Sequence, residues 1–239
     1  PRKIAFLQCI GSRDQEHDYC SSVCCMYATK EAIMACEHGP DTQVKIFLMD
    51  MRAFSKGYLE YYRRAQQQYG IEYVRCRVSA LRQDPKTNNL IVRYVSSGGV
   101  EGSKVRRFEG SASAGEPETW NLKPETIVEE EFDLVVLAVG MEISESVRQL
   151  GRNLGVDLDE YGFCRVPPFD PGRTSRPGIY ACGPFVEPKD IPETVVEASG
   201  AAACAEMLLA PARGTLVREK EYPPERDVSG EEPRVGVFI

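Results

Sequence analysis

Four cysteines near the start of the sequence have the type and spacing to hold an inorganic centre: Cys9, Cys20, Cys24 and Cys25. Residues four apart share one face of a helix, so Cys20 and Cys24 would lie together, with Cys25 about 100° further round the same turn. Cys9 would approach from the end of a predicted strand. We therefore expect four thiolates to meet where a strand ends and a helix begins. A [4Fe–4S] cluster needs four such ligands, spaced round a body wider than one ion.

The predicted surroundings of these cysteines suit a negatively charged cluster. The positive end of a helix and its free N–H groups favour an anion, and Arg13 could add positive charge. In a dinucleotide-binding unit this position holds a glycine-rich turn for a pyrophosphate, but here only Gly11 is present and the chain has no GxGxxG motif. The cysteines are therefore predicted to occupy the space of a nicotinamide cofactor's phosphates. Without those glycines, Asp50 after the second strand is weak evidence for a ribose-binding acid.

Three other interpretations of the four cysteines stay open. They could be ordinary buried side chains without a metal, or they could bind a structural zinc ion, although adjacent cysteines are awkward ligands for one small tetrahedral ion. A disulfide is less compatible with a reducing compartment. The remaining cysteines are interpreted as packing residues: Cys36, Cys76, Cys164, Cys182 and Cys204.

Composition narrows the class of protein that must position this site. The chain has 239 residues and a net charge of −7, which disfavours a nucleic-acid groove or an anionic-membrane patch as the main function. We expect no membrane insertion, because no apolar run approaches the roughly 20 residues of a span, and no signal peptide is evident. Nine cysteines are an odd number and too many for an ordinary cytoplasmic enzyme. Metal or redox chemistry in the cytoplasm is the favoured prediction.

The first part of the chain alternates strands and helices in the order of a doubly wound parallel unit. The predicted strands are at 3–9, 44–49 and 71–80, and the predicted helices are at 22–38 and 57–69. Hydrophobic residues at three- and four-residue spacing mark the second helix. The fold class is therefore α/β, with a Rossmann-type parallel sheet.

The later part of the chain mixes further elements with polar tracts. The predictions are an antiparallel strand at 88–96, a flexible loop at 96–118, a buried strand at 132–140, a helix at 144–155, a strand at 177–183 and a helix at 192–209. We divide the chain into a Rossmann-like unit at 1–140, a flavin-domain part at 141–210 and a polar tail at 211–239. Because the sequence begins and ends in strand-like runs, it is expected to be an internal piece of a longer polypeptide.

Two predicted strands that end in glycine point to a second cofactor. One ends at Gly140 and the other at Gly183, and a helix follows after the segment PKDIPE at 188–193. In flavoprotein disulfide reductases, such glycines let the chain approach the flavin, and the next helix directs its N–H groups at the ring. Those donors stabilise the charge of reduced flavin. Two buried strands with glycine turns, which are common in α/β folds, are the alternative.

Both signals in this order resemble the HdrA family, the iron–sulfur flavoprotein subunits of heterodisulfide reductase. The resemblance rests on KIAFLQCIGSRD at 3–14, YCSSVCCMYA at 19–28, DMRAF at 50–54 with KG at 56–57, and PKDIPE at 188–193. It covers nearly the whole chain, and the cysteine motif is specific. It implies a thioredoxin-reductase-like FAD/NAD(P)-binding fold with antiparallel strands beside the parallel sheet, and electron transfer, often bifurcating, in a complex that reduces a heterodisulfide and ferredoxin.

The same resemblance implies roles for particular residues. Cys9, Cys20, Cys24 and Cys25 are the implied ligands of the [4Fe–4S] cluster. Lys30 would lie near the flavin ring, where it could favour the anionic reduced state, or it could be a solvated helix lysine. Gly183 would lie near the ribityl chain of FAD. The polar edge of the flavin would be lined by Lys189, Asp190, Ile191 and Pro192.

The sequence departs from the family pattern in ways that limit the flavin site. The Gly-Asp pair that binds the ribityl chain in related reductases is Gly183-Pro184 here, and the N-terminal FAD fingerprint is missing. We therefore expect only an FAD half-site, with weak or no flavin binding. Other subunits of a redox complex are the expected partners. The alternatives are a degenerate nucleotide-binding scaffold that docks such subunits, and a thioredoxin-reductase-type enzyme, which lacks support because no CxxC pair is present.

Overall fold

The computed structural model describes residues 2–96, 126–170 and 172–237. Its strands are β1 Lys3–Ile10, β2 Gln43–Leu48, β3 Glu72–Arg75, β4 Ala80–Gln83, β5 Leu90–Ser96, β6 Thr126–Phe132 and β7 Leu134–Val139. Its α-helices are α1 Cys24–His38, α2 Tyr58–Tyr69, α3 Glu145–Leu154 and α4 Ile191–Leu209. The predicted loop at 96–118 lies almost wholly outside the described residues.

A four-stranded parallel sheet forms the centre of the first unit, in the order β3-β2-β1-β7. Continuous apolar runs make β1 and β2 buried strands. One face of this sheet packs against α1 and α2 through Ile4, Phe6 and Ile46. All of its strands run in one direction, so their carboxyl ends share an edge, and α1 begins at that edge.

A three-stranded antiparallel sheet, β4-β5-β6, covers the other face of the parallel sheet. Leu7 and Phe47 pack there against Tyr94 and Phe132 in a second apolar core. The predicted parallel and antiparallel strands are therefore both present. Among the described residues, helices cover one face of the parallel sheet, and a second sheet takes the place of helices on the other.

Two predicted strands differ from the structure. The run at 71–80 leaves the parallel sheet after Arg75, and its last residue, Ala80, begins β4 of the antiparallel sheet. The run at 177–183 is not a strand; it makes one isolated bridge, between Arg173 and Tyr180, and then a 3-10 turn over Gly183–Phe185. In both places the residues have strand-like composition but lack a continuous partner strand within the described part of the chain.

The part of the chain after residue 140 has a small core and an exposed long helix. Val156, Cys164 and Ala181 form the core, whereas no residue of α4 is buried among the described residues. Residues 191–212 are helical, and an 18-residue window within them has a mean hydropathy of 1.3, so the helix is long and apolar enough to cross a membrane. The expectation that no such run exists is therefore wrong, because three glutamates interrupt this run in sequence without ending the helix. Length and composition alone are weak evidence of a membrane span.

Candidate functional site

The tip of β1 brings Cys9 to the carboxyl edge of the parallel sheet in an unusual backbone conformation. The pairing of β1 with β7 shifts between Leu7 and Ile10, and Cys9 has a φ of 60°. Arg13 and Ser22 also have positive φ, at 57° and 60°. Non-glycine residues rarely adopt this left-handed region, and such residues concentrate at functional sites. The segment that carries Cys9 and Cys20 is therefore held in a strained shape.

Side chains and backbone groups fix the loop between Cys9 and α1 against the end of β7. The Tyr19 hydroxyl donates to the Met141 carbonyl over 2.8 Å, and the Met141 N–H donates to Ser21 Oγ over 2.9 Å. A Cβ on Gly140 would lie only 2.8 Å from both the Gly11 carbonyl oxygen and Ser21 Oγ. Gly140 is therefore required for the close approach of this loop.

The first turn of α1 supplies Cys24 and Cys25, and both are buried. The sulfur of Cys25 lies 3.7 Å from the Asp50 carbonyl oxygen, and that of Cys24 lies 3.9 Å from the Val139 carbonyl oxygen. Within the described residues, no side chain caps the N-terminus of α1, and its first turn has no acidic residue. The positive end of the helix therefore faces the thiols without a competing carboxylate.

Electrostatic coupling links the four thiols to each other. Burial raises the pKa of Cys25 to about 11, and repulsion from Cys9, Cys20 and Cys24 adds to this effect. Burial also raises the pKa of Cys24, with further contributions from Cys20 and Cys9. With a pKa of about 11, the Cys25 side chain is a neutral thiol at neutral pH unless a positive centre stabilises its thiolate.

Arg13 provides positive charge at this site and is held there by Asp50. Burial raises the pKa of Cys9, but the Arg13 cation opposes this effect. The Arg13 guanidinium bonds to the Asp50 carboxylate, which also pairs with Arg52 at 3.3 Å. Burial raises the pKa of Asp50, and these two guanidiniums outweigh it and hold the pKa below its ordinary value. Asp50 therefore positions a cation beside the cysteines, a role that the ribose interpretation missed.

The donor set at the cysteine site consists of four free thiols. In the described part of the chain, no group of three or more His, Cys, Asp or Glu residues is arranged to hold one metal ion. The four thiols come from a strand tip, a loop and the first turn of a helix, and four cysteine thiolates are the donor set that a [4Fe–4S] cluster uses. The Gln8 side chain, next to Cys9, is buried, and neither polar atom of its amide has a hydrogen-bond partner. An orphaned amide at this position is consistent with an absent acceptor.

The residues predicted for the flavin are gathered at the start of α4, apart from Lys30 and Gly140. Gly183 has a φ of 68°, and a Cβ there would lie 2.8 Å from Thr194 Cγ2. The N–H of Gly183 donates to Glu197 Oε2 over 2.8 Å. Lys189 is buried and pairs with the other oxygen of Glu197. The Lys189 ammonium is therefore already paired within the protein. The sequence did not identify Glu197 as its partner.

The N-terminus of α4 is capped by its own side chains. Asp190 accepts from the Glu193 N–H over 2.8 Å, and Glu193 accepts from the Asp190 N–H over 3.1 Å. The next two residues, Ile191 and Pro192, are exposed at the start of the helix. Lys30 is exposed on α1. The capping box thus uses part of the donor set that the sequence assigned to the flavin.

A groove joins the cysteine loop to the start of α4. It encloses about 400 Å³, and its walls include Cys20, Tyr161 and Phe163 on one side and Pro188 and Glu193 on the other. Edge-to-face contacts of the Tyr19 ring with Tyr161 and Phe163 shape the aromatic wall. Sequence reasoning missed this aromatic cluster, because its members are separated by some 140 residues. A proposed cluster ligand and a proposed flavin segment therefore border one cavity.

Comparison with known proteins places these features in a family. Residues 48–202 match the family described as pyridine nucleotide-disulphide oxidoreductase. The chain is similar to the iron-sulfur A-subunit of CoB–CoM heterodisulfide reductase from Methanocaldococcus jannaschii, with 40% identity over 88% of this chain and 29% of that protein. An iron-sulfur A-subunit of the same reductase from Methanopyrus kandleri is 41% identical over the same shares.

A third relative matches this chain with similar identity and coverage. The A-subunit of H(2)/formate:CoB-CoM heterodisulfide,ferredoxin reductase from Methanococcus maripaludis is 40% identical over 85% of this chain and 28% of that protein. The resemblance to the HdrA family that the sequence motifs predicted is confirmed. The chain spans less than a third of the length of these relatives. The family match covers well over half of the chain, including β3 to β7 and the start of α4. The chain therefore belongs to the pyridine nucleotide-disulphide oxidoreductase family.

Proposed function

We propose that this chain is the electron-transfer part of a heterodisulfide-reductase-type oxidoreductase subunit. In this proposal it carries one [4Fe–4S] cluster and half of an FAD site. The observation that carries it is the placing of four cysteines on a strand tip, a loop and a helix start at one edge of the parallel sheet, beside the Arg13–Asp50 ion pair and the uncapped end of α1. An anionic cluster is the group that this combination stabilises.

The chain's own residues would hold the cluster and set its surroundings. Cys9, Cys20, Cys24 and Cys25 would be its ligands, and the cluster would supply one-electron chemistry. Arg13, fixed by Asp50, would offset the negative charge of the thiolates. The strained backbone at Cys9 and Ser22 would set the directions of the ligands before the cluster binds.

The FAD half-site is proposed at the start of α4 and the adjoining groove. Gly183, Lys189, Asp190, Ile191 and Pro192 would border the flavin, which would supply hydride and electron chemistry when bound. Gly183 suits this role because its bare Cα faces Thr194 without a clash. Gly140 and Lys30 stay predicted flavin contacts, although Gly140 also accommodates the cysteine loop.

The partners would be other subunits of a heterodisulfide-reductase-type complex. The relatives are named as subunits of such reductases, and α4 leaves Val195, Val196 and Met207 exposed for covering by protein. A cytoplasmic location, where thiols stay reduced, is part of the proposal.

Anaerobic reconstitution with iron and sulfide tests the cluster. We expect about four iron and four sulfide per chain, as a [4Fe–4S] cluster requires. Cys25→Ser should lose most of this uptake, whereas Cys36→Ser, further along the same helix, should keep it. Uptake of one zinc ion in place of iron, or equal uptake by both variants, would overturn the assignment and leave the docking scaffold as the better function.

Flavin absorbance tests the half-site. Because the sequence lacks the N-terminal FAD fingerprint, we expect FAD to leave the chain during dialysis. Retention of one FAD per chain would show that the site is more complete than the half-site proposed.

A further inference from the structure

Gln8 is the one side chain among the described residues whose buried polar atoms lack a hydrogen-bond partner. Only 8% of the residue is exposed, and both Nε2 and Oε1 are unsatisfied. Buried amides are almost always hydrogen-bonded, because an unmet donor or acceptor loses its water without compensation. Gln8 therefore indicates a group that satisfies it when the site is filled.

The position of Gln8 in β1 directs attention to the cysteine site. Ile4 and Phe6 belong to the core under α1, and strand alternation makes Gln8 the next residue of that series. Gln8 is thus one step closer to the carboxyl edge, where the first turn of α1 carries Cys24 and Cys25. The following residue is Cys9, whose positive φ ends the regular strand.

The chemistry of the site favours a sulfur acceptor for Nε2. Thiolate and sulfide sulfurs of a cluster accept N–H hydrogen bonds, and such bonds tune the reduction potential. A carboxamide donates without adding a charge, so it suits a buried position next to Cys9 in β1.

We infer that the Gln8 amide donates a hydrogen bond to a sulfur of the cluster and raises its reduction potential. This inference rests on the proposed function. The bond would strengthen when the cluster gains an electron and becomes more negative, so it favours the reduced state. Gln8 would be a tuning residue and not a ligand.

Redox titration of the reconstituted 239-residue chain, followed by electron paramagnetic resonance, tests this role. Gln8→Glu keeps the shape but replaces the N–H donor by a carboxylate, and Gln8→Met removes the donor without adding charge. We expect both variants to bind wild-type amounts of iron and sulfide. Their midpoint potentials should shift to more negative values, with the larger shift in Gln8→Glu. Gln43→Glu, with the same charge change at the exposed start of β2, should leave the potential unchanged.

The outcomes separate this inference from the proposed function. If the wild-type chain takes up no cluster, the proposed function fails and the inference fails with it. If the cluster is present and both Gln8 variants titrate at the wild-type potential, only the inference is overturned and the proposed function stands. Loss of the cluster from Gln8→Met, with unchanged circular dichroism, would also overturn it, because a tuning bond does not hold the cluster.

Discussion

The two ends of strand β1 differ in how completely their polar groups are satisfied. At the amino end, Lys3 and Lys45 both bond to the Glu130 carboxylate, at 2.8 and 2.9 Å, and the Tyr94 hydroxyl donates to it as well. At the carboxyl end, the Gln8 amide has no hydrogen-bond partner in the described part of the chain, and Cys9 has a strained backbone. This contrast between the two ends of β1 supports the proposal that the carboxyl end, beside the cysteines, binds a further group.

The starts of two helices repeat this contrast. At α4, Asp190 and Glu193 form a complete capping box. At α1, the N-cap residue Val23 has no side-chain bond to the helix. An uncapped helix start beside four cysteines leaves its N–H groups and positive end for an anion. The difference explains why the cysteine site, and not the start of α4, is the stronger candidate for a charged centre.

Removal of the Glu130 carboxylate, which pairs with the lysines at the amino end of β1, should have the largest effect on the free energy of unfolding. Glu130→Leu leaves the Lys45 ammonium buried between the two sheets, with only the exposed Glu72 as its partner. Removal of one member of a buried pair typically costs about 3 kcal/mol or more. We expect a loss of this size in the free energy of unfolding, measured by urea denaturation.

The control for Glu130→Leu is its neighbour in β6. Glu129 pairs with Arg82 at the surface, so Glu129→Gln should cost less than about 1 kcal/mol. Equal losses for the two variants would mean that the amino end of β1 is not held by its buried charges.

Substitution at the incomplete end should have a smaller effect on stability but a larger one on the site. In Gly140→Ala, the new Cβ would meet the Gly11 carbonyl oxygen, a backbone atom that cannot rotate away. Overpacking of this kind typically costs about 1–3 kcal/mol. We expect a loss of about 2 kcal/mol, together with reduced iron uptake as the cysteine loop is displaced.

A glycine in open space provides the comparison for Gly140. In α4, a Cβ on Gly200 would meet nothing within 4 Å, so Gly200→Ala should be neutral or stabilise the chain by about 0.5 kcal/mol. If Gly140→Ala takes up iron as the wild type does, close packing of the loop against β7 is not needed for the site.

Removal of the α4 cap should have a modest effect. Asp190→Ala loses the bond to the Glu193 N–H, which typically costs about 1 kcal/mol. Thermal unfolding should show the corresponding decrease, and Asp190→Asn, which still accepts that bond, should recover most of it. An unchanged melting temperature for Asp190→Ala would mean that α4 frays independently of the rest of the fold.

Sequence reasoning recovered the elements whose signal is local. Continuous apolar runs predicted β1 and β2. Helical spacing predicted α2, and alanine-rich composition predicted α1 and α4, all to within two residues. The run at 177–183 has a similar composition, but a strand also needs a neighbouring strand to hydrogen-bond with. Among the described residues, this run forms a single isolated bridge, between Arg173 and Tyr180. Whether a partner strand exists is a property of the whole fold and cannot be read from the run itself.

The same distinction applies to the candidate site. The four cysteines and Arg13 were predicted from residue type and spacing. The helical argument for pairing Cys20 with Cys24 is wrong, because α1 begins only at Cys24 and Cys20 lies in the loop before it. Gln8 and Glu197 were not found, since a glutamine in a strand or a glutamate in a helix has no unusual signature in sequence. Their significance comes from burial and from the identity of their neighbours, and both depend on tertiary contacts.

Acid titration should give the smallest effect and identify the group responsible for it. Burial raises the pKa of Glu130, but bonds from Lys3 and Lys45 outweigh it and hold the pKa below the ordinary value of 4.5. The unfolded chain therefore binds a proton at higher pH than the folded chain, and stability is lost as pH falls below about 4.5 through the lower folded value. At about pH 4 only part of this loss is present, so the change is small.

In Glu130→Leu this part of the pH dependence should disappear from the urea midpoints measured between about pH 6 and pH 3. If the variant keeps the wild-type slope, the acid sensitivity belongs to other carboxylates, such as the Asp50 carboxylate that Arg13 and Arg52 hold at the opposite edge of the sheet.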